Sequence, residues 1–249
     1  FYGQVRAGRE VELRPLVPGR IVEVSPKYQS GAYVEAGEFL VAIDPFEYEA
    51  SLAEAKAELA EAKARASELE TDLETAKAML ERETAQRDLR QRDATRYANL
   101  RKRGAVSEKA RDDAQIALLN ATEAVVQREF GIKKWQATYE RQQAIVSRLE
   151  VRVRRAERDL ADTRAVAPFA GYLTDTGTEL GKQVTQADRI ARIIDPTRMD
   201  VRFHVGTKRF GELTDGGKIL GRKVSVTWQI AGSPRSYPGI ITRMGAEID

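Results

Sequence analysis

Between Pro45 and Pro168 lie 122 residues with no proline and only two glycines, Gly104 and Gly131. Average usage over that length would give about six prolines and about eight glycines. Proline breaks helix interiors and glycine weakens them. The stretch is instead rich in Ala, Glu, Lys, Arg, Leu and Gln, the residues that lose least on entering a helix. The flanking segments carry frequent Gly and Pro and short alternating runs. One continuous helical insertion, residues 46–163, therefore sits inside a β-rich remainder.

The insertion carries heptads. On the first arm Leu52, Leu59, Ala66, Leu73 and Leu80 recur every seven residues, accompanied by Ala55, Ala62, Leu69 and Ala76. On the second arm Leu118, Val125, Ile132, Tyr139, Val146, Val153 and Leu160 form one seam. Ala114, Ala121, Trp135, Leu149 and Ala156 supply most of its companions, and Arg128 and Gln142 interrupt them. A seven-residue repeat sustained this long specifies a left-handed coiled coil. Arg101, Lys102, Arg103 and Gly104 are the only good break, so two arms of near-equal length, each about 85 Å, fold into an antiparallel hairpin. Residues 47–81 hold ten acids and four bases, whereas 141–164 hold seven arginines and four acids. Folding about Gly104 sets these unlike stretches side by side, which favours this register. Gly131 should cost about 1 kcal/mol in mid-helix and is expected to mark a bend or a close contact.

Composition excludes several classes of function. Cysteine is absent and histidine occurs once, at His204, so disulfides, thiol nucleophiles and Cys/His zinc sites are ruled out. A net charge of +3 from 41 bases and 38 acids is too balanced to point to nucleic acid. The arginines at 148, 152, 154, 155 and 158 face an acidic arm, which further disfavours RNA. No apolar run approaches the roughly 18 residues a spanning helix needs. The chain starts at Phe1 without a leader, so any targeting or anchoring segment is expected outside residues 1–249.

The two flanks of the insertion repeat one another. Gly31, Val34, Glu38, Leu40 and Ile43 are matched by Gly181, Val184, Asp188, Ile190 and Ile193 at a constant offset of 150. Each set follows a Pro/Gly turn and a short strand, around Ile21 and around Leu173. Two β half-motifs, 12–45 and 164–196, should pair into one small sandwich, since neither can bury its apolar face alone.

These half-motifs resemble a biotinyl/lipoyl-like domain. A lipoyl-like domain split by a coiled-coil hairpin is similar to the periplasmic adaptors, or membrane fusion proteins, of bacterial tripartite efflux pumps. Ala167, Pro168, Phe169, Ala170 and Gly171 resemble the family's Ala-Pro-Phe-Asp-Gly signature, with Ala170 in place of the acid; Ala187 likewise replaces a glycine. The fold expected is α+β, multidomain and elongated: the antiparallel coiled-coil hairpin inserted into the split lipoyl-like β-sandwich, followed by a small β-barrel over 197–249. The barrel is expected to be incomplete, and residues 1–11 to be an N-terminal strand left from a membrane-proximal domain. True lipoyl and biotin carriers present a modifiable lysine on the turn between their halves. Here Asp44 and Pro45 lead straight into helix, so no cofactor is expected and the chain is read as no enzyme.

Arg96, Leu100 and Ser107 flank the turn at the spacing of the tip motif of adaptors that serve resistance-nodulation-division (RND) transporters. The resemblance implies that these three engage a TolC-like outer-membrane channel, and that protomers assemble in sixes around the export path beside an inner-membrane transporter. It also implies the periplasm as compartment, with attachment to the inner membrane. A guanidinium can bond carbonyls or carboxylates, leucine offers apolar contact, and serine can hydrogen-bond. Other readings compete: Ser107 as an N-cap with Glu108 in the first turn, Leu100 closing the coiled coil, and Arg96 on a solvated face. For the whole chain the rivals are an adaptor of an ABC or major-facilitator exporter, a lipoyl or biotin carrier, and a coiled-coil scaffold. Beyond Pro196, Met199, Val201, Phe203 and Val205 alternate on one strand face, and Val224, Val226 and Trp228 on another. His204 should be an exposed strand residue, and Asp215 to Lys218 a turn rather than a phosphate cradle.

Overall fold

The computed structural model describes residues 2–206, 210, 218–230 and 233–245, without the side chains of residues 229 and 230. The strands before the helices are β1 (Gly3–Ala7), β2 (Glu10–Leu13), β3 (Gly19–Val24), β4 (Tyr33–Val34) and β5 (Phe39–Ile43). Helices α1 (Phe46–Lys102) and α2 (Glu108–Ala161) follow. After them come β6 (Arg164–Val166), β7 (Gly171–Thr174), β8 (Gln183–Val184), β9 (Ala191–Ile194), β10 (Met199–Phe203), β11 (Lys223–Ile230) and β12 (Ser233–Ile240).

The sandwich is woven rather than stacked. One antiparallel sheet has the order β6-β5-β3-β8 and the other β2-β9-β7-β4, so each takes two strands from before the hairpin and two from after it. The offset of 150 residues carries β4 onto β8 and the main part of β3 onto β7, so each sheet is the counterpart of the other. Between them lies a core in which matched residues are buried in pairs: Val34 with Val184, Leu40 with Ile190, Ile43 with Ile193, all at 0–1% exposure. The Tyr28 hydroxyl donates to the Ile190 carbonyl across the halves.

The repeated acid has a local cause. Glu38 Oε2 accepts the N–H of Glu35 at 2.8 Å, and Asp188 Oδ2 accepts the N–H of Thr185 at 2.8 Å. Each carboxylate thus closes its own turn. Lys27 Nζ donates to Glu38, and that bond, then the Glu35 N–H, holds its carboxyl below the usual range. The Thr185 N–H, then the Thr185 hydroxyl, does the same for Asp188. Gly37 turns at φ 80°, but its counterpart Ala187 does not enter the left-handed region. The second turn is built without the glycine, and Asp175 is the one non-glycine residue at positive φ (50°) among those described.

Helices α1 and α2 pair antiparallel as the heptads require. Ala55 packs on Val153 and Ala156, and Ala62 and Ala66 on Val146. Most seam residues are buried or half-buried; Trp135 is not, at 39% exposure. Its place in the seam is corrected to the helix surface, since a helix of 3.6 residues per turn drifts relative to a strict seven-residue template. Gly131 has open space on its side-chain side: an added Cβ would meet no heavy atom within 4 Å, so the expected close contact is absent, and nothing in the structure explains this glycine.

The charge pattern also differs from its expectation. Four ion pairs cross the hairpin among the described residues. Glu58–Arg152 and Glu83–Arg128 have the acid on α1, but Lys56–Glu157 and Lys63–Glu150 have it on α2. Register is set by the packed seam together with Gln142, whose Nε2 donates to the Ala62 carbonyl at 3.0 Å inside it. Beyond Pro196, β10 pairs antiparallel with β1 from the start of the chain, and β11 pairs antiparallel with β12. His204 is exposed, just past the end of β10, and residues 215–217 of the expected turn lie outside the described residues.

Candidate functional site

The hairpin ends in a turn of five residues whose geometry follows from its sequence. Gly104 takes φ 74°, a conformation glycine adopts without steric cost. The N–H groups of Arg103 and Ala105 both donate to the Leu100 carbonyl, at 3.1 and 3.0 Å, and that of Gly104 donates to Arg101 at 2.9 Å. Two of the last α1 carbonyls, those of Leu100 and Arg101, are thereby satisfied. On the other side Ser107 is the N-cap of α2: its Oγ accepts the N–H of Ala110 at 3.2 Å, with Glu108 in the first turn.

Arg96 and Leu100 share a face of α1 and line one open groove of about 550 Å³. Arg96 is exposed and pairs with Asp93 at 2.8 Å, its guanidinium 5.8 Å from the Tyr97 ring. An exposed pair of this kind contributes little to stability, so the guanidinium is free to exchange Asp93 for another acceptor. Leu100 is half-buried, and its carbonyl anchors the turn. Ser107 lies across the turn and does not line that groove. Its capping bond uses an oxygen lone pair and leaves the hydroxyl proton free to donate. Gln91, Thr95 and Asn99, spaced by four, complete one wall of the groove. The sequence reading passed over them, although their i, i+4 spacing beside Arg92, Arg96 and Leu100 was the available signal. The tip is thus polar, shallow and exposed. It offers donors and one apolar side chain to a surface, and no enclosed space for a small molecule.

A long antiparallel hairpin inserted between the halves of a woven lipoyl-like sandwich defines the class of membrane fusion adaptors. The family described as RND MFP (membrane fusion protein), barrel-sandwich hybrid domain, matches residues 9–202, and this chain belongs to it. It is a family of adaptors and not of enzymes. The chain is 24% identical over 249 residues to "Multidrug resistance protein MdtA" of Salmonella typhimurium (strain LT2) and to the protein of that name in Escherichia coli (strain K12 / DH10B). The match takes in 99% of this chain and 50% or 49% of theirs, so the chain spans about half the length of these relatives. Among solved structures it resembles MacA from Actinobacillus actinomycetemcomitans, with TM-score 0.62 and 18% identity, over 98% of this chain and 65% of that one. It also resembles the membrane fusion protein Spr0693 from Streptococcus pneumoniae R6, with TM-score 0.55 and 14% identity, over 98% and 84%. At these identities the structures speak for the fold.

Proposed function

We propose that this chain is the bridging part of a periplasmic adaptor in a tripartite multidrug efflux pump. It joins an inner-membrane RND transporter to a TolC-like outer-membrane channel. Six copies surround the export path, held at the inner membrane by a segment outside residues 1–249. The observation that carries the reading is mechanical: α1 and α2 reach about 80 Å from the sandwich at 1.5 Å per residue, with an exposed polar tip at the far end. The relatives, named as multidrug resistance proteins, supply drugs as the exported class. The contact to the channel is made by Arg96, Leu100 and Ser107.

Resistance to drugs in cells that depend on the pump tests this. Arg96→Asp should abolish it while the purified chain keeps its helical circular dichroism, because it breaks only an exposed pair. Ser107→Arg should do the same, although it also removes an N-cap and costs the hairpin about 1 kcal/mol. Ser107→Asp keeps the capping acceptor and separates the two effects. Full resistance in Arg96→Asp and Ser107→Arg would refute the tip contact.

A further inference from the structure

The seam between α1 and α2 is interrupted partway along the rod. As far as Leu80 the first arm supplies leucine and alanine to it; the same repeat then brings Glu83, Arg87 and Arg90. Between Ala76 and Ala94 helix α1 buries no residue, and between Val125 and Gln142 helix α2 buries none. One cross-arm pair joins the two gaps: Arg128 donates from Nη2 and Nε to Glu83 Oε1, at 2.8 and 3.2 Å. Gly131, about one turn from Arg128, lowers the helix preference of α2 at the same level.

The layer is only partly satisfied. Glu83 Oε2 is shielded from water and accepts no hydrogen bond, and Arg87 Nε lies 2.8 Å from the Asp88 carboxylate, its neighbour on α1, without donating one. Beside them an open notch of about 310 Å³ separates Glu83, Gln86 and Arg90 from a wall of Ala117, Ala121 and Ala124, side chains too short to fill it. Charges that are half paired and half dried hold two helices less firmly than apolar contact of the same volume. Nearer the tip packing resumes: Ala94, Leu118 and Val125 are buried, and the Leu100 carbonyl closes the turn.

We propose that the hairpin is two cooperative units with a joint at this layer. The root, residues 46–80 with 132–163, stays packed while the distal unit, residues 88–125, opens and tilts on its own. A continuous apolar seam would carry strain at the tip back to the sandwich. Here the Glu83–Arg128 layer yields first, because parting it strips little buried apolar surface and lets water reach Glu83 Oε2 and Arg87 Nε. The exposed tip is thereby re-aimed without disturbing Ala55, Val146 or Val153 in the root. The inference goes beyond the bridging role proposed above and does not depend on what the tip meets.

Hydrogen–deuterium exchange with peptide resolution on the whole chain tests it. Leu73→Ala, in the buried part of the root, should raise exchange about a hundredfold in peptides from 52–80 and 132–156 and leave those from 94–118 within about twofold. Leu118→Ala should do the reverse. Arg87→Met replaces the guanidinium by an apolar chain and should slow exchange across 81–90 and 121–128 about tenfold. In Glu83→Leu with Arg87→Leu and Arg128→Leu the seam becomes continuous, and adding Leu118→Ala to that chain should loosen root and distal peptides together. Either alanine substitution loosening both units of the native chain equally would overturn the proposal. So would no protection gained in Arg87→Met, or the same confinement in the triple variant. The first two comparisons use no repaired chain, so they decide the matter even if the triple variant self-associates.

Discussion

Because each sheet draws equally on both flanks of the hairpin, a cavity made in one half should loosen the other to the same extent. Ile43 in β5 and Ile193 in β9 occupy matched positions, are 1% and 0% exposed, and belong to the same core. Replacing either by alanine removes three buried carbons. At about 0.8 kcal/mol each that is about 2.4 kcal/mol of transfer free energy, and the residual cavity brings the loss to about 3 kcal/mol. Hydrogen–deuterium exchange with peptide resolution reads this directly. A loss of 3 kcal/mol raises the opening constant more than about a hundredfold. In both Ile43→Ala and Ile193→Ala, peptides from β3 and β5 and peptides from β7 and β9 should gain that factor together, while the middle of the hairpin keeps its protection. Deprotection confined to the half that carries the substitution would refute the cooperative weave.

Two further outcomes follow from local chemistry. Gly131→Ala should raise the melting temperature of the hairpin, followed by helical circular dichroism, through a gain of about 1 kcal/mol, since a Cβ there meets nothing within 4 Å and glycine in mid-helix costs about that much. Glu38 and Asp188 titrate below their usual range, so the stability they contribute is present above the unfolded carboxylate pKa and is lost as pH falls through the lowered folded values. Thermal melts from pH 7 to pH 3 should therefore fall more steeply in the native chain than in Glu38→Gln with Asp188→Asn; equal slopes would remove these turns from the acid response.

The hairpin and the sandwich were legible because each leaves a long-range pattern: the absence of proline with a seven-residue repeat, and the offset of 150 residues. Both survive imperfect local matches. The details that escaped were ones that a pattern does not encode. Trp135 fits the template, yet it lies on the surface, because a repeat fixes a residue's approximate direction and not what faces it across the helix pair. Net charge per arm suggested one polarity of cross-arm pairing, whereas Lys56 and Lys63 pair the other way, because ion pairs form residue by residue. The weave, with β3 bonded to β8 and β4 to β7, could not be read from two similar halves that might equally have stacked side by side. At the tip, resemblance to the family motif singled out Arg96, Leu100 and Ser107, and the N-cap reading of Ser107 is the one the structure shows, but only the folded turn reveals that the Leu100 carbonyl closes it.

The weave also dictates an order of folding. During synthesis β5 exists long before β6 and β9 do, and closing an unstructured loop of residues 44–163 to bring them together would cost about 4 kcal/mol of chain entropy. A hairpin that zips from its own turn removes that cost, since its two ends finish adjacent, where the N–H of Ile43 bonds the Thr163 carbonyl at 2.8 Å. The long helices are therefore an assembly jig as well as a strut: lesions near the turn should delay the birth of a β domain some 80 Å away, with its own residues untouched.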